Sequence, residues 1–245
     1  MEKISKILIL SLISISALSW SISKDQSDMM MAMMSYDPLA ITLFTLIWTA
    51  GMTAMMFPAI TPMVLLYYKL VTSHVASSSV IEKKSYSLKM ILFVSSYLAI
   101  WSMTGLALLF GWSIPINYLQ PQFEANQLQI LFGILLIISG AYQFSSLKTK
   151  CLVYCESPLS FFGRRWRNGI VGAIKMGAYH GLYCLGCCWP YFLLMVALGW
   201  MNLIWMGLFA LIIFGEKIWS KGIWVARLAG LAFIIVGLIR IVGTM

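Results

Sequence analysis

The segment Met176-Gly-Ala-Tyr-His180-Gly-Leu-Tyr-Cys184-Leu-Gly-Cys187-Cys188-Trp-Pro190, continuing to Trp200, decides how this chain is read. It is apolar on both sides of its polar residues, so it reads as a helix inside a membrane. Each helical residue turns about 100°. His180, Cys184, Cys187 and Cys188 then stand at i, i+4, i+7 and i+8, one imidazole and three thiols on one face. Met176 and Met195 share it. One buried free cysteine is adequately explained as a small hydrophobe. Three on one face, one turn from a histidine, are not. A polar residue within a bilayer is a functional candidate by default, and soft ligands in a dry place point to a soft metal, Cu(I) first. Zinc also accepts Cys and His, but it leaves the methionines below unexplained. Pro190 has no N–H, so it frees the carbonyl of Gly186 and bends the helix beside the thiols.

Working outward, the whole chain is of the same kind. Of its 245 residues 61% are hydrophobic and only 10% charged. Apolar runs of about 18 residues or more recur along it, the mark of transmembrane helices. The expected fold is all-α, a polytopic transmembrane helix bundle of about seven helices, with residues 1–245 as a single integral membrane domain. The net charge of +9 does not indicate a nucleic-acid partner, because the basic residues sit in loops beside apolar runs, where they set topology. There are 17 methionines and 5 cysteines. An odd cysteine number, with three inside an apolar run, argues against a disulfide framework.

In chain order, Lys3 and Lys6 precede an apolar run over residues 7–22. It reads as a first transmembrane helix or as a signal peptide with a cleavage site at Ala17-Leu-Ser19, which would leave six spans. Residues 25–37 form a Met-rich outer segment with Met29, Met30, Met31, Met33 and Met34. Thioethers bind Cu(I) without deprotonation; the competing reading is an apolar segment lying on the bilayer. A second helix over 38–70 carries Met52, Met55 and Met56 on one face. Within it Pro58 frees the carbonyl of Ala54, Pro62 frees that of Pro58, and a kink is expected. Further helices are expected over 90–112, 128–147, 169–199, 203–215 and 223–242, with polar loops over 69–89 (containing His74) and 113–127. The basic segment 148–168 holds Cys151 and Cys155 one turn apart, as ligands or as reduced cytosolic thiols.

With the N-terminus inside, 15 of the 17 Lys and Arg fall in inner segments, Lys148 and Lys217 among them. The positive-inside rule then gives a multi-pass cell-membrane protein with a cytoplasmic N-terminus and an extracytoplasmic C-terminus. The Met-rich segment faces out and Cys151 and Cys155 face in. Helices two and five run oppositely, which brings Met52, Met55 and Met56 to the mid-bilayer depth of Cys184, Cys187 and Cys188.

At these residues the chain resembles the family of predicted metal-binding integral membrane proteins known as domain of unknown function 2182. The resemblance covers nearly the whole chain. It rests on the Met-rich segment, on Trp48…Ala54-Met55-Met56-x-Pro58, on Gly140-Ala-Tyr-Gln143 followed by Leu147-Lys148, and on Cys151-x-x-x-Cys155. It continues through Gly181-x-x-Cys184-x-Gly186-Cys187-Cys188-Trp189, Met201-Asn202-Leu203 and Glu216-Lys217. Departures are Gly51 where the family's first methionine usually sits, Ser145-Ser146 for Thr-Pro, Glu156 for a basic residue, and Pro190 for alanine. The resemblance implies metal binding and no fixed activity.

The expected function is Cu(I) binding, with handling or transfer of the ion within or across the membrane. The alternatives are an accessory or assembly subunit of a copper-dependent membrane enzyme, with partner subunits, and a membrane redox protein. Haem is disfavoured by the single intramembrane histidine. No Gly-rich nucleotide loop ending in Lys-Ser/Thr is present, which argues against an ATP-driven pump within this chain, and no catalytic residue is assigned. The lipid bilayer and a metal ion are the expected partners.

Overall fold

A computed structural model of the protein describes residues 2–23, 37–73, 80–119, 125–198, 202–219 and 221–243. The five clustered methionines, Met29 to Met34, and His74 lie outside the described residues. Among those described there are nine helices and no strand: α1 (Glu2–Ser23), α2 (Pro38–Ser73), α3 (Val80–Leu119), α4 (Ala125–Tyr142), α5 (Ser146–Glu156), α6 (Pro158–Arg165), α7 (Gly169–Leu198), α8 (Leu203–Ile218) and α9 (Gly222–Val242). Three contain stretches long and apolar enough to cross a membrane: Pro38–Thr72, Tyr86–Gly111 and Gly222–Val242. Asn126–Tyr142 and Ser146–Glu156 together make a fourth if they form one span bent by 64°. α7 interrupts its apolar run with Lys175, His180 and several glycines, and α8 has 16 residues. Neither is among the helices long and apolar enough by themselves. The outer faces carry exposed Leu46, Ile91, Met103, Leu211, Leu228 and Ile239, a surface suited to lipid.

Helix ends differ from the sequence reading at three places. α3 extends back through the charged stretch from Val80 and forward to Leu119. Glu and Lys are good helix formers, so polarity at residues 80–89 ended the apolar run without ending the helix. The expected fourth helix stops at Tyr142 rather than at residue 147. A turn at Gln143-Phe-Ser145 follows, in which the Gln143 N–H donates to the Gly140 carbonyl at 3.1 Å. Ser145 is extended, and its hydroxyl accepts from the Lys148 N–H at 3.1 Å, capping α5. Residues 148–156, part of a basic inner segment in the sequence, therefore form a helix that packs on α7 and α8.

Three packing registers define the interior. On α2 and α3, Tyr67 stacks on Phe93 at 4.4 Å, and Trp48 Nε1 donates to the Trp101 carbonyl at 2.9 Å. These helices are antiparallel. On α2 and α7, Trp48 lies against Phe192 (6.4 Å between rings) and Met56 against Cys184 (4.0 Å). They too run oppositely, and the register sets Met52 level with Cys188. On α4 and α9, Gly133 faces Gly237 and Gly140 faces Gly230.

The two prolines flagged beside the sulfurs have a visible consequence. α2 continues through Pro58, and the Ala54 carbonyl it frees accepts the Ser16 hydroxyl of α1 at 2.6 Å. α7 continues through Pro190, and the freed Gly186 carbonyl accepts the Tyr142 hydroxyl of α4 at 2.5 Å. A buried carbonyl without a partner is costly. In both helices a hydroxyl from a neighbour supplies one.

Candidate metal centre

α7 presents Met176, His180, Cys184, Cys187, Cys188 and Met195 to the interior, all at most 1% exposed. Cys187 Sγ stands 3.3 Å from Cys188 Sγ and 3.6 Å from Cys155 Sγ. Its thiol also points at the Cys184 carbonyl, at 3.2 Å. Cys184 Sγ is 4.0 Å from Met56 Sδ and 3.3 Å from the Tyr97 hydroxyl. Five sulfurs from α2, α5 and α7 thus line one dry region. With metal–sulfur bonds of about 2.3 Å, two sulfurs on one ion stand about 3.7–4.6 Å apart. The pairs at 3.6 and 4.0 Å need little movement to reach that range. Among the described residues, however, no group of three or more His, Cys, Asp and Glu side chains is arranged to hold a metal ion.

Cys155 reaches the region because α5 buries Lys148, Leu152 and Cys155 on one stripe at i, i+4 and i+7. Cys151 is half-buried at the edge, where a Cβ on Gly186 would come within 2.8 Å of its Sγ. The absence of a side chain at Gly186 is what lets α5 approach the thiol helix. Met52 and Met55 are buried on α2 beside Met56. His180 is enclosed by aromatic rings, with Tyr97 stacked at 5.5 Å and Phe161 edge-on at 5.4 Å. Neither of its ring nitrogens has a hydrogen-bond partner. A buried polar group in that state requires an explanation.

Charged groups complete the site, and the sequence reading had placed them elsewhere. Lys148 Nζ pairs with Glu216 Oε2 at 2.7 Å, both side chains fully buried. The same ammonium donates to the Cys187 carbonyl at 2.7 Å. The Tyr191 hydroxyl donates to Glu216 Oε1. Lys217 Nζ lies 2.8 Å from Cys184 Sγ and 3.8 Å from Met56 Sδ. Asn202 starts α8 by accepting from the N–H groups of Ile204 and Trp205 at 3.1 and 3.4 Å. From that cap the helix turns Met206, Phe209, Ile213, Glu216 and Lys217 inward. Their spacing of three, four, three and one residues was the available signal: the two charges continue an apolar stripe rather than end it.

The family model of PpoB2, described as a copper chaperone, matches residues 45–240. This chain belongs to that family. A copper-related role follows. No curated protein and no solved structure matches the chain. The PpoB2 match begins in α2 just before Trp48 and runs into the last turn of α9. It therefore contains Met56, Cys155, Cys184, Cys187, Cys188 and both buried lysines, while α1 and the clustered methionines of residues 29–34 precede it.

Proposed function

We propose that the chain is an integral membrane copper chaperone that carries Cu(I) as its cargo. The observation that carries this reading is that, in one buried core, Met56 meets Cys184 at 4.0 Å while Cys155 and Cys188 meet Cys187 at 3.6 and 3.3 Å, with the Cys187 thiol on the Cys184 carbonyl. Thiol and thioether together suit Cu(I) better than zinc, which has no use for a thioether. Met52, Met55 and the unpartnered His180 extend the donor set. The clustered methionines Met29, Met30, Met31, Met33 and Met34 collect the ion on the outer side. Cys155 and then the half-buried Cys151 receive it from Cys187 for release towards the cytoplasm. Seven spans, with the N-terminus cytoplasmic and the C-terminus extracytoplasmic, are the topology that this route needs. Thirteen inner lysines and arginines still support it after Lys148 and Lys217 are set aside as buried.

The test is to change Cys184, Cys187 and Cys188 together to serine. A hydroxyl keeps nearly the same volume but is too hard a donor for Cu(I). Copper per protein, after Cu(I) loading under reducing conditions, should fall to background while the detergent-extracted protein still elutes as one species. Equal copper in wild type and variant overturns the proposal. Changing the five clustered methionines to leucine should slow uptake without lowering copper at saturation.

A further inference from the structure

The charges around the sulfurs can be counted. Lys148 and Glu216 neutralise one another at 2.7 Å. Lys217 remains, fully inside the core, with its Nζ on Cys184 Sγ at 2.8 Å and Met56 Sδ at 3.8 Å. Among the described residues no carboxylate lies within ion-pair distance of it. A lone charge in such a place costs several kcal/mol, so an anion must match it, and the groups in reach are the cysteine sulfurs and the Tyr97 hydroxyl beside Cys184, of which a thiol gives up its proton more readily than a phenol. Cu(I) on two thiolates carries one net negative charge, to which a thioether adds nothing. With the ammonium beside it the sum is zero. A divalent ion on the same two thiolates is neutral. It leaves the ammonium unmatched and sets two cations side by side.

We propose that Lys217 is the fixed counter-cation of a two-thiolate Cu(I) complex, and that it makes the centre select a monovalent soft ion over a divalent one. The proposal rests on the copper-carrying reading above and names the residue that sets the charge of the cargo. Lys217 acts through the thiolates, and is a positioning and selectivity residue rather than a ligand. Its ammonium has no lone pair to give.

The test uses the full chain in detergent, with Cu(I) titrated against a chromophoric Cu(I) chelator and Cd(II) as the divalent thiophilic probe. Lys217→Gln should weaken Cu(I) binding by about a hundredfold or more, the scale of removing one partner of a buried ion pair. Cd(II) binding should hold or strengthen. Lys217→Arg, which keeps the charge, should stay within about tenfold of wild type for Cu(I). Opposite movement of the two metals is the signature, because a merely structural lysine would weaken both together. Equal loss of both, or no change in Cu(I), overturns the proposal. Wild type gives a check that needs no variant. Cu(I) loading should protect two thiols from alkylation, counted by mass, and protection of three overturns the charge match. If wild type holds no Cu(I) at all, the proposed function falls and takes this inference with it. If wild type holds it and Lys217→Gln does so equally, only this inference falls.

Discussion

The α4–α9 pair and the sulfur centre are held together by opposite means. α4 and α9 approach through glycines: a Cβ on Gly140 would stand 2.5 Å from the Gly230 carbonyl, and one on Gly237 would stand 2.7 Å from that of Gly133. Close backbone approach at small residues is a common way for membrane helices to associate. Ser139 and Gln143, buried there without partners, are the polar exceptions. The centre instead buries two lysines, a glutamate and several thiols. An apolar replacement for such an ion pair is often as stable or more so. The difference teaches that the first region exists to hold helices together, whereas the charges of the second are explained by what they hold beside them.

The largest effect that can break this comparison is at Glu216. Glu216→Leu leaves Lys148 buried and unpaired, and should lower stability by about 3–5 kcal/mol, read as a fall in thermal unfolding temperature in detergent. The double change Lys148→Met with Glu216→Leu should recover most of that loss and still disturb copper loading, because the Cys187 carbonyl loses its donor. If the double variant is no more stable than the single, the pair is not what stabilises the region. Next comes Gly140→Val, which overfills the glycine contact and should cost about 1–3 kcal/mol. Copper per folded protein should stay at the wild-type value; a drop would mean that the two regions are not separable. The smallest effect is Ser102→Ala, which removes the hydroxyl that meets the Thr49 hydroxyl at 2.7 Å between α2 and α3 and should cost about 1 kcal/mol, again by thermal unfolding; a loss several times larger would mean that this contact holds more than its own hydrogen bond.

Much of the helical organisation was legible because it follows from apolar runs, and the thiol face because helical spacing puts Cys184, Cys187 and Cys188 together. The pairing of Met56 with Cys184 was legible from depth, since two helices running oppositely meet level near the middle. Lys148 and Lys217 were not, because a lysine at the end of an apolar run looks the same whether it points to water or inward. Only the stripe spacing before Glu216 separates the two cases. Cys155 was read as a ligand or a reduced cytosolic thiol, and its contact with Cys187 was not legible, because the turn at Gln143 to Ser145, between helices bent by 64°, has no proline or glycine of its own to announce it. The position of His180 was legible and its aromatic enclosure was not, because Tyr97 and Phe161 come from other parts of the chain.

The hydroxyls of Ser16 and Tyr142 have a mechanical consequence. Each stands in for a missing rung of a helical ladder, one beside Met55 and Met56, the other beside Cys187. A rung made by a neighbour's side chain can be let go without unwinding the helix. The two rods that carry the sulfurs are therefore most compliant at the level of the sulfurs themselves, and the spacing of the soft atoms can breathe while the rest of each rod stays stiff.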